Sequence, residues 1–367
     1  MSLYTSSRLK VFRECIRKHF YKFVLRIKTP SNPAMQFGTA THAALEAWYR
    51  AWQSGADRLA AALAVIERTD CDEVDRIKLR TLVAAYDTRW GAEYWEVLAV
   101  EVEFRYYLGD VELGGKIDAI IRSRADGRVY VVEHKTSTAD TSAGSPYWDR
   151  LAIDTQISIY QDGATMLGYE IAGCVYDVLK RPLHEPKAAT PIEARKYTAG
   201  SGCAKCGGSG KAGAVEKGRG FYVVKFPGEP DREIECEGCA GTGWKLDKDG
   251  QPNAPRLHAN QRAEDETLSV YEERLVDEIS ERVDDFLSRG VVVRLETELP
   301  RMRQELLDTI AAMRLVEDAG ITAPNHDACV RGRDYCPFFA ACSGRVDISD
   351  ESVFPRGVAH PELAVAA

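Results

Sequence analysis

The chain has 367 residues, of which 45% are hydrophobic and 28% are charged, and its formal net charge is −8. This composition is typical of a globular protein with room for two or three domains. No apolar run approaches the roughly 18–20 residues that cross a membrane, and charges interrupt every candidate secretory signal. We therefore expect a cytoplasmic protein without a membrane partner.

The first predicted element is a helix over 6–28, with an apolar stripe on one side and a strongly basic face on the other. Its only acidic residue is Glu14, whereas its basic residues are Arg8, Lys10, Arg13, Arg17, Lys18, Lys22, Arg26 and Lys28. Such a face can follow a phosphate backbone or can simply be solvated, and the sequence leaves both open. Further helices are predicted over 36–53, 56–68 and 72–95.

A strand over 97–108 and a β-hairpin over 112–136 come next. Asp126-Gly127 tolerates the positive φ angles of a tight two-residue turn. Such a turn places Asp118 opposite Lys135, with Glu133 on the diagonal, because side chains two apart on a strand share a face.

Asp118, Glu133 and Lys135 are therefore expected to converge at one end of the hairpin. A few carboxylates, together with substrate phosphates, hold hard cations such as Mg²⁺. The strands beneath them are apolar, and charges at the end of a buried strand need a partner or a metal. The pattern predicts hydrolysis of phosphodiester bonds, although charged residues on a solvated strand face are also common.

The second half of the chain changes character twice. A loop runs to about 147, and 186–260 is rich in Gly, Pro, Lys and Cys with little apolar periodicity. The elements predicted around these segments are a helix over 151–167, a strand over 172–180 and helices over 262–289 and 298–318.

The segment 186–260 contains two CxxCxGxG motifs, which begin at Cys203 and Cys236 and include Cys206 and Cys239. A two-residue gap lets both thiolates of a turn bind one ion, so two such motifs predict a closed structural zinc site. These motifs resemble those of the DnaJ chaperones, but no His-Pro-Asp motif accompanies them. The zinc would hold the insert together; a docking surface for DNA or a partner is the alternative.

A second group of cysteines lies near the C-terminus. Cys329, Cys336 and Cys342 are one thiolate short of a closed site, and Cys15 is the natural fourth. Four thiolates can hold an iron–sulfur cluster or zinc, and their number does not separate the two.

Several motifs follow one another in the order of a known family. They are Ser6-Ser7-Arg8-Leu9 through Cys15-Ile-Arg17-Lys18, Gly38-xxx-His42, Glu101, Gly115-xx-Asp118, Glu133-His-Lys135, Gln156-xxx-Tyr160 and the terminal cysteines. Together they resemble the RecB-type branch of the PD-(D/E)XK nucleases, the iron–sulfur kind that includes AddB and the CRISPR-adaptation exonucleases, and most of all stand-alone bacteriophage versions. A phage origin would place the protein in the host cytoplasm.

The resemblance implies roles for particular residues. His42, Asp118, Glu133 and the backbone carbonyl of His134 would ligate Mg²⁺ or Mn²⁺. Lys135 would orient the attacking water and stabilise the developing charge. The remaining assignments are Gln156 and Tyr160 to steady Lys135 and the DNA strand, Glu101 as a supporting acid, and Cys15, Cys329, Cys336 and Cys342 as ligands of a 4Fe-4S cluster.

The expected fold is α/β, with a restriction-endonuclease-like core in which helices flank a mixed central sheet. The predicted domains are the N-terminal helices and nuclease core (1–185), the zinc insert (186–260), C-terminal helices and cysteines that complete the nuclease domain (261–345), and a loose tail (346–367). We expect a Mg²⁺- or Mn²⁺-dependent deoxyribonuclease that acts as an exonuclease. Its expected role is in DNA recombination, repair or phage replication. DNA is the expected partner, with a recombination or replication protein as a second.

Two other functions are carried as alternatives. One is a non-catalytic nucleic-acid scaffold that uses zinc and an iron–sulfur cluster as grips. The other is a structural zinc protein with chaperone-like contacts. The chain contains no GxxxxGK[ST] phosphate loop, which argues against a helicase.

Overall fold

A computed structural model of the chain describes residues 2–29, 32–206, 208, 235–331, 334–360 and 363. It divides into two compact units, one made of Met1–His184 and Glu272–Ala367 and the other of Glu185–Tyr271. The second unit contains the segment 186–260 that the composition marked as an insert. Gly210 of the first CxxCxGxG motif lies outside the described residues. Within the described part, none of the helices has the length and apolar character needed to cross a bilayer.

Helices form the N-terminal part of the first unit, as expected. They are α1 (Ser6–Glu14), α2 (Ile16–His19), a π-helical turn (Phe20–Val24), α3 (Pro33–Ser54), α4 (Arg58–Ile66) and α5 (Glu73–Trp90). The prediction of one continuous helix over 6–28 is wrong. Cys15 has extended φ and ψ angles of −164° and 118°, so α1 ends before it and α2 starts after it.

A mixed sheet of five strands forms the centre of the described residues of this unit. The strands are β1 (Trp95–Leu108), β2 (Val111–Ser123), β3 (Val129–Ser137), β4 (Ile171–Lys180) and β5 (Leu287–Val292), in that spatial order. Only the β3–β4 pairing is parallel; β1–β2, β2–β3 and β4–β5 are antiparallel. This confirms the expected mixed central sheet.

The register of the hairpin differs from the prediction by two residues. Ala119 pairs with Val132, and continuing this register by one residue places Asp118 across from Glu133 rather than from Lys135. The reason is a longer turn than Asp126-Gly127 alone, closed by a hydrogen bond from Ser123 N to Arg128 O of 2.9 Å. A shift of two residues keeps every side chain on its predicted face.

Helices cover both faces of the sheet. The connection after β3 forms α6 (Pro146–Asp149), a 3₁₀ turn (Arg150–Ile153) and α7 (Thr155–Met166). Tyr49 of α3 packs its ring 5.2 Å from the His134 ring, whereas Gln156 of α7 bonds Glu133. Because neighbouring residues of a strand point to opposite faces, α3 and α7 lie on opposite sides of the sheet.

The segment that starts at the end of the second unit and continues into the first supplies the last strand. It forms α8 (Leu268–Glu281), α9 (Val283–Phe286) and β5, so the predicted helix over 262–289 is wrong at both ends. Gly290 of β5 leaves room for the Trp148 ring, because a Cβ at this position would lie 2.7 Å from Trp148 Cζ3. The run Val291–Val293 was an available strand signal.

The C-terminal part contains α10 (Leu299–Asp318), a short hairpin of β6 (Val330–Arg331) and β7 (Asp334–Tyr335), and α11 (Phe339–Cys342). Part of the segment 346–367, which we expected to be loose, is packed. Phe354 is buried in a small cluster with Ile27 and Phe338, and Lys28 N donates to Pro355 O at 2.8 Å.

The second unit begins and ends with paired segments. Glu266 N donates to Lys187 O and Thr190 N to Arg262 O, at 2.8 and 2.9 Å. Between these arms, isolated bridges join Tyr197 to Leu257 and other pairs, and the four cysteines of the two motifs form its buried centre.

Candidate functional site

Glu133 and Lys135 of β3 form one cluster with Gln156 of α7, which we call the acid–lysine cluster. Glu133 is buried and pairs with the Lys135 ammonium group. Gln156 Nε2 donates to Glu133 Oε1 at 2.8 Å, so the contact shown by the structure is to the acid, rather than to Lys135 as expected. Burial lowers the pKa of Lys135, against the opposing effect of Asp118 and Asp154.

Asp118 lies beside this cluster and contacts two histidines. Its Oδ2 accepts the His134 backbone N–H at 2.7 Å and lies 3.2 Å from His134 Nδ1, and its Oδ1 lies 3.5 Å from His42 Nδ1. Burial acts to raise the pKa of Asp118, but His42 and His134 outweigh it and hold that pKa well below its usual range. For His42, burial acts to lower the pKa, and the Asp118 carboxylate reverses this and raises it.

The predicted ligands His42, Asp118 and Glu133 are neighbours but do not form a closed group. A closed metal site needs at least three ligand atoms within 4.8 Å of one another. Among the described residues, this condition is met by four cysteines of the second unit. Glu133 is turned toward Lys135 and Gln156, whereas Asp118 is turned toward the histidines. The structure thus brings the sequence-predicted residues to one place and divides their carboxylates between two sets of partners.

Glu101, predicted as a supporting acid, lies on β1. Its neighbours Val100 and Val102 pair with Ala119 and Ile117 of β2, so Glu101 lies across from Asp118. It forms an ion pair with Lys116 of β2. Its φ of 52° is a left-handed conformation that costs a residue other than glycine about 1–3 kcal/mol. Burial raises the pKa of Glu101, and the Asp118 charge adds to this rise.

Tyr160 follows Gln156 by one helical turn and is mostly buried in the core. Its ring packs edge-on against Phe104, with ring centroids 5.7 Å apart. Gly115 of β2 makes room for both rings, because a Cβ there would lie 2.8 Å from Phe104 Cζ and 3.0 Å from Tyr160 Cε1.

A row of polar, ionisable residues crosses the opposite face of the sheet. His134, Asp177 and Arg289 are register partners on β3, β4 and β5, and we call them the buried row. Arg289 donates to both carboxylate oxygens of Asp177. Tyr86 of α5 donates to Asp177 Oδ2 at 2.7 Å and lies 3.4 Å from His134 Nε2.

The four cysteines of the CxxCxGxG motifs are gathered and buried. Cys203 Sγ lies 4.0 Å from Cys236 Sγ, and Cys206 Sγ lies 3.7 Å from Cys239 Sγ. Tetrahedral zinc with Zn–S bonds of ~2.3 Å requires sulfur atoms about 3.8 Å apart. The Gly243 N–H donates to Cys239 Sγ, with N and Sγ 3.3 Å apart. Gly243 has a φ of 80°, which glycine adopts without strain.

The other four predicted ligands, Cys15, Cys329, Cys336 and Cys342, come from both ends of the chain to one neighbourhood. Asn325 N donates to Cys15 Sγ at 3.3 Å, and Cys336 N donates to Cys329 O at 2.8 Å. Burial raises the pKa of Cys336, and the nearby Cys329 and Cys15 thiols add to the rise. They do not form a closed group within the 4.8 Å that the other four satisfy.

Comparison with known proteins supplies the family. The model of the PD-(D/E)XK nuclease superfamily matches residues 4–343, nearly the whole chain. The chain belongs to this superfamily. Its members are metal-dependent nucleases, and the α/β fold with its mixed sheet is that of the superfamily core. No protein with a curated description matches the chain.

Two solved structures resemble this PD-(D/E)XK protein weakly. One is a "putative exonuclease" from Eubacterium rectale, 13% identical, with 48% of this chain and 66% of that chain covered at a TM-score of 0.32. The other, named SSO0001, is 16% identical, with 38% and 60% covered at a TM-score of 0.19. Each match spans less than two thirds of the relative's length, and likeness this low does not extend to function.

Sequence reasoning missed the side-chain contacts of the buried row and of Tyr86. Asp177 offered a signal, because a charge inside the apolar strand 172–180 needs a buried partner. Arg289 offered none, since it was assigned to a helix. Lys116, the partner of Glu101, was also missed.

Proposed function

We propose that this PD-(D/E)XK protein is a Mg²⁺- or Mn²⁺-dependent deoxyribonuclease that degrades DNA from its ends. The observation that carries the proposal is the meeting of Asp118, Glu133 and Lys135 where the pairing of β2 with β3 ends, with a hydrogen bond from Gln156 to Glu133. An acid pair beside a partly exposed ammonium group suits hydrolysis of a phosphodiester, in which negative charge develops on the phosphate.

The donor set suits a hard divalent cation. Asp118, Glu133, His42 and the His134 carbonyl together offer carboxylate, imidazole and carbonyl groups, the ligands used by Mg²⁺ and Mn²⁺ sites. When bound, the metal would polarise the scissile phosphate and lower the pKa of a bound water. The close contacts of Asp118 with His42 and His134 support this assignment.

The protein's own side chains would do the rest. Lys135, already close to Asp118 and Glu133, would orient the water and stabilise charge on the phosphate. Gln156 would fix the Glu133 carboxylate by the hydrogen bond it makes here. Tyr160, whose ring is packed in the core, would hold α7 and thereby Gln156 in place, with Glu101 as an acidic support for Asp118.

The test is degradation of end-labelled linear DNA by the full chain with Mg²⁺ or Mn²⁺, beside Lys135→Ala. Lys180→Ala, which changes a lysine at the end of the neighbouring strand β4, is the matched control. We expect degradation by the wild type and by Lys180→Ala and strong loss in Lys135→Ala. Equal degradation by all three proteins, or none by any, removes the nuclease proposal.

Circular DNA of the same sequence separates the modes of attack. An exonuclease degrades the linear form and leaves the covalently closed circle intact, and cutting of both forms would make the protein an endonuclease. The non-catalytic scaffold predicts DNA binding without degradation of either form. A chaperone-like zinc protein predicts activity that survives Asp118→Ala and fails when Cys203 is changed.

We also propose that Cys203, Cys206, Cys236 and Cys239 bind a structural Zn²⁺. The support is the short Sγ–Sγ distances and the burial of all four residues. Metal analysis should give one zinc per chain. Cys239→Ser should lose it, and the second unit should become sensitive to protease.

For Cys15, Cys329, Cys336 and Cys342 we propose a 4Fe-4S cluster. A cluster separates its thiolates more than a single ion does, because iron and sulfide lie between them, so the more open arrangement of these four residues supports it over zinc. Anaerobically purified protein should show a broad absorption band near ~400 nm and iron besides the zinc. A second zinc without that band would contradict the cluster. Roles in recombination, repair or phage replication, a protein partner and a cytoplasmic location stay predictions from the sequence.

A further inference from the structure

His134 stands between the proposed metal site and a buried polar network. Its backbone N–H and its ring Nδ1 both face Asp118 Oδ2, at 2.7 and 3.2 Å. On the other side of the ring, Nε2 lies 3.4 Å from the Tyr86 hydroxyl and 3.9 Å from Asp177 Oδ2. The His134 side chain is 3% exposed and packs against the Tyr49 ring at 5.2 Å, so its surroundings restrict rotation away from these partners.

The network behind His134 is itself fixed. Tyr86 donates to Asp177 Oδ2 at 2.7 Å, and its hydroxyl lies 3.1 Å from that of Tyr49. Arg289 binds the same Asp177 carboxylate and stacks 4.0 Å above the Trp90 ring. Asp177, Tyr86 and Tyr49 are each 1% exposed. A buried network whose members are all satisfied is rigid.

We propose that the His134 side chain is a positioning residue that holds Oδ2 of Asp118 and thereby fixes the other oxygen, Oδ1, on the side of His42 for a divalent cation. This rests on the proposed function, since it concerns the same metal site. The β5 strand takes part, because its Arg289 binds Asp177 on the same face of the sheet as His134. Hydrogen-bonded partners of metal ligands typically contribute 10–100-fold to metal affinity.

The test compares two substitutions that differ in one donor. His134→Asn keeps an amide N–H near the position of Nδ1 and can still donate to Asp118, whereas His134→Leu keeps similar bulk and cannot. Mn²⁺ binding to the full chain is measured by calorimetry, with Asp118→Ala as the reference for a lost site. Thermal unfolding of each variant is recorded beside it.

We expect Mn²⁺ affinity within a few-fold of wild type for His134→Asn and a loss of about 10–100-fold for His134→Leu. Tyr86→Phe, which removes only the hydroxyl behind the ring, should lower affinity by a smaller factor while Tyr49 and Asp177 stay buried. If His134 has a purely structural role, the loss of Mn²⁺ affinity across the variants should correlate with the loss of thermal stability, whether or not residue 134 carries a hydrogen-bond donor.

The outcomes separate this inference from the proposed function. If wild type and Asp118→Ala bind Mn²⁺ equally, the metal site itself is wrong. If wild type binds and Asp118→Ala does not, but His134→Asn and His134→Leu bind alike, the positioning role of His134 is wrong and the metal site stands.

Discussion

The acid–lysine cluster and the buried row lie on opposite faces of the central sheet and differ in how far their charges are paired. Lys135 is about a third exposed, and its cluster has few partners. In the buried row, Asp177 has a side chain only 2% exposed and receives bonds from two residues. Charge open to solvent can meet a substrate, whereas charge that is fully paired inside the fold can only support structure and position its neighbours.

The largest effect is expected where a charge of the buried row is removed. Asp177→Asn leaves the Arg289 guanidinium with Glu93 as its remaining acidic partner, and breaking a buried pair costs about 3–5 kcal/mol. The free energy of unfolding, measured by chemical denaturation of the full chain, should fall by that order.

Two controls accompany this variant. Glu96→Gln breaks the surface pair with Arg122, whose side chain is 44% exposed, and should cost less than about 1 kcal/mol. The double variant Asp177→Asn with Arg289→Met should recover part of the loss, because the buried guanidinium is removed and the Glu93 side chain, a quarter exposed, can still reach water. A small effect of Asp177→Asn, similar to that of Glu96→Gln, would remove the contrast between the two faces.

The acid–lysine cluster should show the reverse behaviour. Lys135→Met should lower kcat for DNA degradation by about 10²–10³, because fixed positive charge at the phosphate is lost. The unfolding midpoint should move far less than in Asp177→Asn, since Lys135 is about a third exposed and Gln156 still donates to Glu133. Steady-state kinetics and thermal unfolding of the same preparation measure both. A large fall in stability with unchanged kcat would reverse the assignment of the two faces.

Features formed by residues close together in the sequence could be predicted, and features formed by residues far apart in the sequence could not. The CxxC pairs are local turns, and the alternation of Glu133 and Lys135 is local to one strand, so both were found. The hairpin register was wrong because it depended on turn length, which Asp126-Gly127 alone does not set. The error in register did not affect the predicted site, because a shift of two residues leaves each side chain on the same face of the sheet.

Contacts between distant segments could not be predicted in this way. Arg289 reaches Asp177 only because the chain returns after the second unit to add β5, and the composition of 262–289 favoured a helix. The buried row is therefore a product of tertiary pairing. The position of Asp177 inside an apolar strand indicates that it has a buried partner, but the sequence does not identify that partner as Arg289.

Packing beneath the acid–lysine cluster gives an intermediate effect that tests whether this face also depends on structure. Gly115→Ala places a Cβ 2.8 Å from Phe104 Cζ and 3.0 Å from Tyr160 Cε1, and overpacking of this kind costs about 1–3 kcal/mol. Because Tyr160 belongs to α7, the shift should also disturb Gln156 and lower kcat. Phe104→Leu in the same chain should relieve both effects. If Gly115→Ala changes stability and leaves kcat untouched, α7 does not transmit packing to the cluster.

The smallest effect concerns the basic face of the N-terminal segment, which the structure divides. Arg8 is buried and pairs with Glu317, and Lys18 pairs with Glu14, so these charges serve the fold. Lys10 and Arg13 are exposed, and neither forms an ion pair within the part of the chain that the structure describes. Arg13 donates to Thr155 Oγ1 at 3.3 Å, next to Gln156. Burial is the main cause of the lowered pKa of Lys135, and the positive charge of Lys10 adds to it.

Lys10 and Arg13 therefore extend the positive charge of Lys135 along α1, and we expect them to contact DNA phosphates. Lys10→Ala with Arg13→Ala should raise the KM for DNA about tenfold and leave kcat unchanged. The slope of log affinity against log salt concentration should become less steep by about 1.4–1.8, the change expected when two phosphate contacts are lost. Arg26→Ala with Lys28→Ala removes the same charge from the exposed far end of the segment and is the control. Equal effects of the two double variants would mean that net charge alone attracts DNA. No effect of either would mean that the basic face of α1 is solvated surface, and that binding depends on the acid–lysine cluster alone.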